Sequence, residues 1–284
     1  MIVLKNESMA KHTSFRTGGN ADTFIKVESA DDIIDILNKY ENPIFIGNGS
    51  NLLVSDEGIR GTVVQIYDEF KQIELVGEDV IHADAGALLS KIAAFARDNS
   101  LTGFEFASGI PGTAGGAVFM NAGAYGGEMK DVVLSVEAVE DGKKVVYSCE
   151  DMHFDYRSSI AMKKNLIVTG VNIKLTKGDK DEINSIMNDL NSRRREKQPL
   201  EYPSAGSTFK RPEGYFAGKL IMDSGLSGYT VGGAMVSTKH CGFVINAGNA
   251  TSTDIYKLIK DVQRIVLEKM GVKLETEVRL IGEF

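Results

Sequence analysis

Apolar positions recur three or four residues apart in four stretches of the chain, which is the spacing of one face of an α-helix. The pattern predicts helices over residues 29–40, 87–98, 181–196 and 253–270. Ser29 and Asp32 resemble a capping box with aspartate in the place of glutamate, so we expect the first helix to begin there. In the third helix, the positions expected to face inward are Ile183, Ile186, Met187 and Leu190.

Shorter apolar runs and alternating patterns predict strands between these helices. The predicted strands cover residues 43–46, 62–66, 132–140, 144–147, 165–175 and 272–280. Asp141 and Gly142 lie between two of them and predict a hairpin turn. In the last strand, alternation places Glu277 and Arg279 on one face. The chain therefore mixes helices and strands.

One stretch fits neither period. Eight of the 30 glycines lie between Gly103 and Gly127, among small residues. Flexible linkers are polar, whereas this stretch contains Phe104, Phe106 and Ile110, so a linker is disfavoured. We expect an ordered loop that passes close to a flat or charged ligand.

Composition excludes several classes of protein. Apolar residues make up 43% and charged residues 25% of the 284 positions, as in ordinary globular proteins. The net charge of −7 argues against broad nucleic-acid binding, although a local basic cluster would still suit an anionic substrate. No apolar run is long enough to span a membrane, and the first residues do not resemble a signal peptide. Cys149 and Cys241 lie far apart and predict reduced thiols in a cytoplasmic protein.

Two glycine-rich segments are candidates for binding a phosphate group. The first, Gly47–Asn51, follows a predicted strand, where backbone N–H groups can approach an anion, but taken alone a plain tight turn explains it better. It is not a dinucleotide fingerprint, because Leu52 replaces the third glycine. The second segment runs over 109–116 and continues over 121–127, with many backbone donors and little side-chain bulk. Its alternative explanation is a glycine-rich packing loop.

Single polar residues provide further candidates, each with a structural alternative. Arg157 could hold a carboxylate by its planar guanidinium, or form a surface ion pair. Ser207 follows a glycine on a turn, but no His/Asp partner spacing accompanies it, so a serine hydrolase is weakly supported. Glu277 lies on a strand face that solvation alone would explain. The four histidines lack metal-ligand spacing, so no metal site is expected.

Six motifs follow one another in a fixed order along nearly the whole chain. They are FRTGG (15–19), GNGSN (47–51), GIPGTAGGAVFMNAGAYGGE (109–128), YRSS (156–159), AGSTFKRP (205–212) and LETEVRLIG (274–282). In this order they closely resemble the UDP-N-acetylenolpyruvoylglucosamine reductase (MurB) family of peptidoglycan synthesis. Only a short segment separates Arg157 from Ser207, so the chain resembles the shorter form of the family, which lacks an inserted tyrosine loop.

The resemblance implies an α+β fold, with a two-part FAD-binding domain of the vanillyl-alcohol-oxidase type and a smaller α+β substrate domain. With a boundary expected near Pro199 and Pro203, the two FAD-binding subdomains are predicted to cover 1–68 and 69–198, and the substrate domain 199–284. The resemblance also implies non-covalent FAD, NADPH as co-substrate, and reduction of UDP-N-acetylglucosamine enolpyruvate to UDP-N-acetylmuramate. We expect a cytoplasmic monomer or weak oligomer with no nucleic-acid or membrane partner.

The resemblance assigns residues to three roles. Arg157, Ser207 and Glu277 are the implied catalytic residues, with Ser207 protonating C2 after hydride reaches C3 of the enolpyruvyl group. The implied FAD contacts are Gly47, Asn48, Gly49, Ser50, Asn51, Gly109, Ile110, Pro111, Gly112, Gly115, Gly116, Asn121, Gly123, Ala124, Tyr125 and Gly126. The implied substrate contacts are Tyr156, Lys197, Lys210 and Arg211, the last of which replaces the asparagine of some relatives.

Basic residues near the expected boundary could offset the acidic net charge for anionic ligands. They are Arg193, Arg194, Arg195, Lys197, Lys210, Arg211 and Lys219. For the three consecutive arginines, a solvated helix end is the alternative, because basic residues suit a helix C-terminus. Two other functions stay open at this point: an oxidase of the same fold that uses oxygen, and a nucleotide-binding module without chemistry.

Overall fold

The structure is a computed structural model that describes residues 1–284. The α-helices are α1 (Ala30–Lys39), α2 (Leu89–Asp98), α3 (Ala114–Met120), α4 (Ile160–Lys164), α5 (Lys180–Lys197), α6 (Ala217–Asp223) and α7 (Ser252–Met270). Short 3₁₀ helices cover Met9–His12, Glu105–Ala107 and Met129–Asp131. None of the helices combines the length and apolar character that a membrane span requires.

The strands are β1 (Ile2–Ser8), β2 (Asn20–Lys26), β3 (Ile44–Ile46), β4 (Leu52–Val54), β5 (Ile59–Gln65), β6 (Ile73–Val76), β7 (Val80–Asp84), β8 (Leu101–Thr102), β9 (Gly123–Ala124), β10 (Gly127–Glu128), β11 (Val133–Glu140), β12 (Lys143–Ser148), β13 (Ile167–Lys174), β14 (Thr176–Lys177), β15 (Thr230–Val231), β16 (Ala234–Val236), β17 (Val244–Asn246) and β18 (Arg279–Ile281). The larger sheets have the orders β1-β2-β5-β3, β12-β11-β13-β7-β6 and β15-β16-β17, and the pairs are β9/β10, β8/β14 and β4/β18. This mixture confirms the predicted α+β class.

The chain divides into two compact units. The first unit contains residues 1–4, 24–48 and 61–194, and the second contains 5–23, 49–60 and 195–284. Each unit has its own apolar core: the first is formed mainly by α1, α2 and the five-stranded sheet, and the second by α6, α7 and the three-stranded sheet.

This division differs from the three ranges expected from the sequence. Residues 5–23 and 49–60 cluster with the carboxyl-terminal part because Phe15 and Leu53 belong to its core. Asp56 strengthens the association, since its carboxylate accepts hydrogen bonds from the first N–H groups of α7. These contacts join segments that are far apart in sequence, so no local pattern could indicate them.

The helix and hairpin predictions are largely confirmed. Ser29 is the N-cap of α1, and its side chain accepts a hydrogen bond from the backbone N–H of Asp32. The hairpin of β11 and β12 turns at Asp141 and Gly142, both with positive φ, as a tight two-residue turn requires. The predicted inward position of Ile186 is wrong, because that side chain is 39% exposed.

Two local predictions need correction. The stretch over 103–127 is not simply a loop, because it contains α3, which begins after the N-cap residue Thr113 and ends at the left-handed Asn121. The continuous strand predicted over 272–280 is reduced to β18. Leu274 and Val278 are buried in the expected alternation, but only Thr276 forms an isolated bridge in the intervening chain, to Phe209.

Candidate active site

The first glycine-rich segment contacts the second within the first unit. The Asn48 side chain donates a hydrogen bond to the carbonyl oxygen of Pro111 at 2.9 Å. A Cβ added to Gly47 would lie 2.4 Å from the Thr113 hydroxyl, so no larger residue fits there. The same hydroxyl caps α3 by accepting from the N–H of Gly116. Thr113 thus caps α3 and lies against Gly47 of the first segment, a placement that no pattern in the sequence indicated.

Several glycines of the second segment are needed for packing within the protein. A Cβ on Gly115 would lie 2.9 Å from that of Ala85, and a Cβ on Gly127 would lie 2.7 Å from the ring of Phe106. Gly126 differs, since it has a φ of +92°, and a Cβ added there would have no neighbouring atom within 4 Å. The packing explanation therefore holds for part of this segment, whereas Gly126 leaves open space beside the backbone.

The two segments also differ in whether their backbone N–H groups are already hydrogen-bonded within the protein. The N–H groups of Ala114 and Gly115, at the start of α3, already donate to the carbonyl oxygens of Ala87 and Ala85 at 2.8 Å. The N–H groups of residues 48–51, in contrast, donate no hydrogen bond within the chain. Successive free N–H groups with little side-chain bulk suit the phosphates of a dinucleotide. The residues present therefore fit FAD.

Arg194 adds a positive charge that has no partner in the chain. It is half-buried and forms no ion pair or hydrogen bond, and burial lowers the pKa of its guanidinium. Its side chain passes over Gly109, where a Cβ would lie 3.1 Å from its Cδ. The neighbouring Arg193 is exposed and pairs with Asp189 at 2.7 Å. A solvated helix end explains Arg193, but a half-buried, unpaired guanidinium suits an anionic ligand.

Arg157 lies in a tight turn of the first unit. Asp155 and Ser158 exchange backbone hydrogen bonds of 3.0 and 3.1 Å across this turn. Arg157 itself has a φ of +53°, which is unusual for a residue with a side chain. Its guanidinium donates to the carbonyl oxygen of Gly123 at 3.3 Å and lies 5.0 Å from the ring centre of Tyr156.

Ser207 is exposed in the second unit, on a firmly held backbone. It follows Gly206, which has a φ of +75° and open space around it, and precedes the fully buried Thr208. The Thr208 N–H donates to the carbonyl oxygen of Gly242 at 2.9 Å, and its hydroxyl accepts from the N–H of Val244 at 2.9 Å. A small residue at 206 and an anchored residue at 208 therefore present the Ser207 hydroxyl outward.

Glu277 lies beside the Ser207 segment in the second unit. Its N–H donates to the carbonyl oxygen of Thr208 at 2.9 Å. Its carbonyl oxygen accepts from the side chain of Asn51 at 3.1 Å. Two of the three implied catalytic residues, Ser207 and Glu277, are thus brought together by backbone pairing, and the Asn51 amide serves this arrangement.

The implied substrate contacts have varied environments. Tyr156 and Lys197 are exposed. Lys210 pairs with Glu275 at 3.4 Å. The exposed Arg211 lies over the ring of Phe216, 4.0 Å from its centre.

Comparison with known protein families gives two matches. Residues 198–281 match the family described as "UDP-N-acetylenolpyruvoylglucosamine reductase, C-terminal domain". Residues 21–147 match the family described as "FAD binding domain".

Curated relatives carry the same description over nearly the whole chain. UDP-N-acetylenolpyruvoylglucosamine reductase of Agathobacter rectalis is 52% identical, covering 99% of this chain and 95% of the relative. The protein of that name from Lachnoclostridium phytofermentans is 54% identical over 98% of this chain and 92% of the relative. Among solved structures, the Thermus caldophilus enzyme of that name superposes with a TM-score of 0.87 at 36% identity, covering 99% of this chain and 98% of the other.

Proposed function

The chain belongs to the UDP-N-acetylenolpyruvoylglucosamine reductase family, and on that basis we propose that NADPH is its hydride donor and that Arg157, Ser207 and Glu277 are its catalytic residues. It is an FAD-containing oxidoreductase of peptidoglycan synthesis that reduces UDP-N-acetylglucosamine enolpyruvate. The expected family, fold and cofactor are therefore confirmed. The observation that carries the assignment of roles is the exposed Ser207, whose neighbour Thr208 is anchored and accepts a backbone hydrogen bond from Glu277.

The chemistry that FAD would supply when bound is the carriage of a hydride from NADPH to C3 of the enolpyruvyl group. We propose that the residues of 47–51, 109–116 and 121–126 named above hold FAD. The unbonded N–H groups of 48–51 and the unpaired guanidinium of Arg194 support this proposal, because both suit an anionic diphosphate. The side chain of Asn121 is an exception, since protein groups already use it.

Addition of hydride at C3 leaves negative charge on C2 and its carboxylate. Arg157 is proposed to stabilise that charge, since preorganised positive groups aimed at developing charge give a large part of catalysis. Ser207 is proposed to deliver the proton to C2, and Glu277 to complete the proton network beside it. Hydride and proton together saturate the double bond, and NADPH is oxidised to NADP⁺.

The proposed substrate contacts extend this arrangement. Tyr156, Lys197, Lys210 and Arg211 are proposed to bind the substrate, and the exposure of Tyr156 and Lys197 is compatible with that role. A cytoplasmic location is also proposed, since both cysteines are free thiols. A monomeric or weakly oligomeric state remains a prediction.

The visible absorption spectrum tests cofactor, donor and acceptor together. Without oxygen, NADPH should bleach the flavin bands of the purified protein, and UDP-N-acetylglucosamine enolpyruvate should restore them. Rapid recovery with oxygen alone would favour an oxidase. A colourless protein that cannot be reconstituted with FAD would favour a nucleotide-binding module.

A further inference from the structure

Asn121 is fully buried at the end of α3, and its side chain is committed to other protein groups. Its amide nitrogen donates to a carboxylate oxygen of Glu128 at 2.7 Å and to the carbonyl oxygen of Asp155 at 3.1 Å. Its amide oxygen accepts from the N–H of Lys130 at 3.0 Å. Both amide hydrogens are therefore used, so the side chain has none left to donate to a cofactor.

Two further hydrogen bonds join the bond to Asp155 in linking the Arg157 turn to the end of α3. The hydroxyl of the fully buried Ser159 donates to the carbonyl oxygen of Phe119 at 2.9 Å. The Arg157 guanidinium donates to the carbonyl oxygen of Gly123 at 3.3 Å. Residues 119–123 are thus hydrogen-bonded to residues 155–159 at three positions: before the arginine, at the arginine and after it. We call this set of three bonds the α3 clamp.

The conformation of the turn gives the clamp its importance. A left-handed backbone is unfavourable for arginine, and it persists only where the surroundings determine it. The φ of +53° at Arg157 fixes the direction in which its side chain leaves the turn. Loss of the clamp would let the turn relax toward a right-handed or extended conformation. The guanidinium would then move away from its present position.

We propose that Asn121 is a positioning residue, which holds the turn in this conformation and so places the Arg157 guanidinium for the reaction. The inference rests on the catalytic role proposed for Arg157. It gives the Asn121 side chain a function in reduction of the substrate, although the family resemblance places this residue among the FAD contacts.

The chain offers a matched pair of variants. Asn121→Gly removes only the side chain, because glycine adopts the φ of +42° found there without strain. Asn165→Gly is the control, since Asn165 is also left-handed, at the end of α4 in the same unit, but is exposed. Ser159→Ala is a milder test of the same clamp if Asn121→Gly does not fold.

Four measurements follow each variant: hydrogen–deuterium exchange, the Kd for FAD, the rate of flavin reduction by NADPH, and the rate of flavin reoxidation by substrate. Asn121→Gly should raise exchange at residues 155–159, and should leave FAD binding and flavin reduction within about twofold. It should slow reoxidation by about 10- to 100-fold, the range expected for a misplaced catalytic group. In an Arg157→Lys background it should add no further slowing, because both changes act through one side chain.

Unchanged exchange at 155–159 would overturn the inference, as would equal slowing of reoxidation in both backgrounds. Weaker FAD binding with slower flavin reduction would also overturn it, because Asn121 would then serve the cofactor. A different result would contradict the proposed role of Arg157. In that case Arg157→Lys alone would leave the rate of reoxidation unchanged, while Asn121→Gly would still raise hydrogen–deuterium exchange. The clamp would then stand without the catalytic assignment.

Discussion

Arg157 and Ser207 are held in different ways. The Arg157 turn is strained at the arginine itself and is fixed by the side chains of Asn121 and Ser159. Beside Ser207 the left-handed position belongs to Gly206, and Thr208 is anchored through its own backbone N–H and carbonyl groups. Single substitutions near Arg157 should therefore displace the reacting group, whereas similar substitutions near Ser207 should leave it in place.

The largest effect should come from removing the Ser207 hydroxyl itself. Ser207→Ala should slow reoxidation of reduced flavin by substrate by about 10²- to 10⁴-fold, the usual contribution of a positioned general acid. Reduction of FAD by NADPH should be unaffected, because no proton to C2 is involved. Stopped-flow absorption separates the two half-reactions.

Ser204→Ala is the control for that change. Ser204 lies in the same segment, where its backbone forms an isolated bridge to Ile245. Its replacement should leave both half-reactions unchanged. If Ser207→Ala slowed flavin reduction and reoxidation by the same factor, the residue would support the whole site and would not be the proton donor.

Replacement of Arg194 should have a smaller effect. It tests whether a side chain of the first unit contributes to FAD binding. Arg194→Ala should weaken FAD binding by about 10- to 100-fold, since a hydrogen bond between charged groups contributes roughly 1.5–3 kcal/mol. Arg193→Ala should change it little, because exposed ion pairs such as that with Asp189 contribute almost nothing. Fluorescence titration of the apoprotein with FAD measures both.

Equal effects of the two arginine variants would contradict the assignment of Arg194. A weakened NADPH or substrate affinity with unchanged FAD binding would show that its anion belongs to one of those ligands.

These arginines show what the sequence can and cannot predict. The spacing of apolar residues was sufficient to predict α5, the helix in which all three consecutive arginines lie. The spacing could not distinguish Arg194 from Arg193, because Arg194 is half-buried and packs over Gly109, which is distant in the chain. Motif order identified the family and the candidate residues, but not the hydrogen bonds that hold them.

The glycines make the same point. Composition indicated that they serve local geometry, without saying which kind. Gly115 is needed because a Cβ would lie 2.9 Å from that of Ala85, whereas Gly206 has open space and is needed for its φ of +75°. Close packing between distant segments and a left-handed backbone both select glycine, so the residue type alone cannot separate them.

Replacement of Thr208 tests whether the Ser207 segment is held by backbone hydrogen bonds and not by a single side chain. Thr208→Val keeps the volume but removes the acceptor for the N–H of Val244, so the free energy of unfolding should fall by about 1–3 kcal/mol. Reoxidation should slow much less than in Asn121→Gly, because the backbone bonds of Thr208 to Gly242 and Glu277 remain. Denaturant unfolding and stopped-flow absorption give the two values.

Thr169→Val is the matched control, since Thr169 is a buried strand residue whose hydroxyl makes no hydrogen bond to the protein. The free energy of unfolding of Thr169→Val should hardly differ from that of the wild type. Slowing by Thr208→Val as large as that by Asn121→Gly would mean that Ser207, too, depends on a single side chain.

The smallest effect should be a pH dependence of the free energy of unfolding, which arises from His240 near the Ser207 segment. The Nδ1 atom of His240 accepts from the N–H of Gly242, whose carbonyl oxygen holds Thr208. Burial lowers the pKa of His240, so the unfolded chain binds its proton more readily than the folded chain does. Stability should therefore fall as the pH falls below the ordinary histidine pKa of about 6.5. His240→Asn offers an acceptor that does not titrate, so its unfolding free energy should lose less on acidification than that of the wild type.

His82 in the first unit should show the opposite sign and serves as the comparison. Its neighbour Asp84, together with Asn172 and Glu137, raises its pKa despite burial. The protonated form therefore stabilises the fold fully below a pH of about 6.5, and this contribution disappears as the pH rises through the raised pKa. His82→Asn should accordingly destabilise the protein more at pH 5.5 than at pH 8.5. Parallel pH profiles for His240→Asn and the wild type would show that neutral His240 does not support the Ser207 segment, which would then rest on backbone pairing alone.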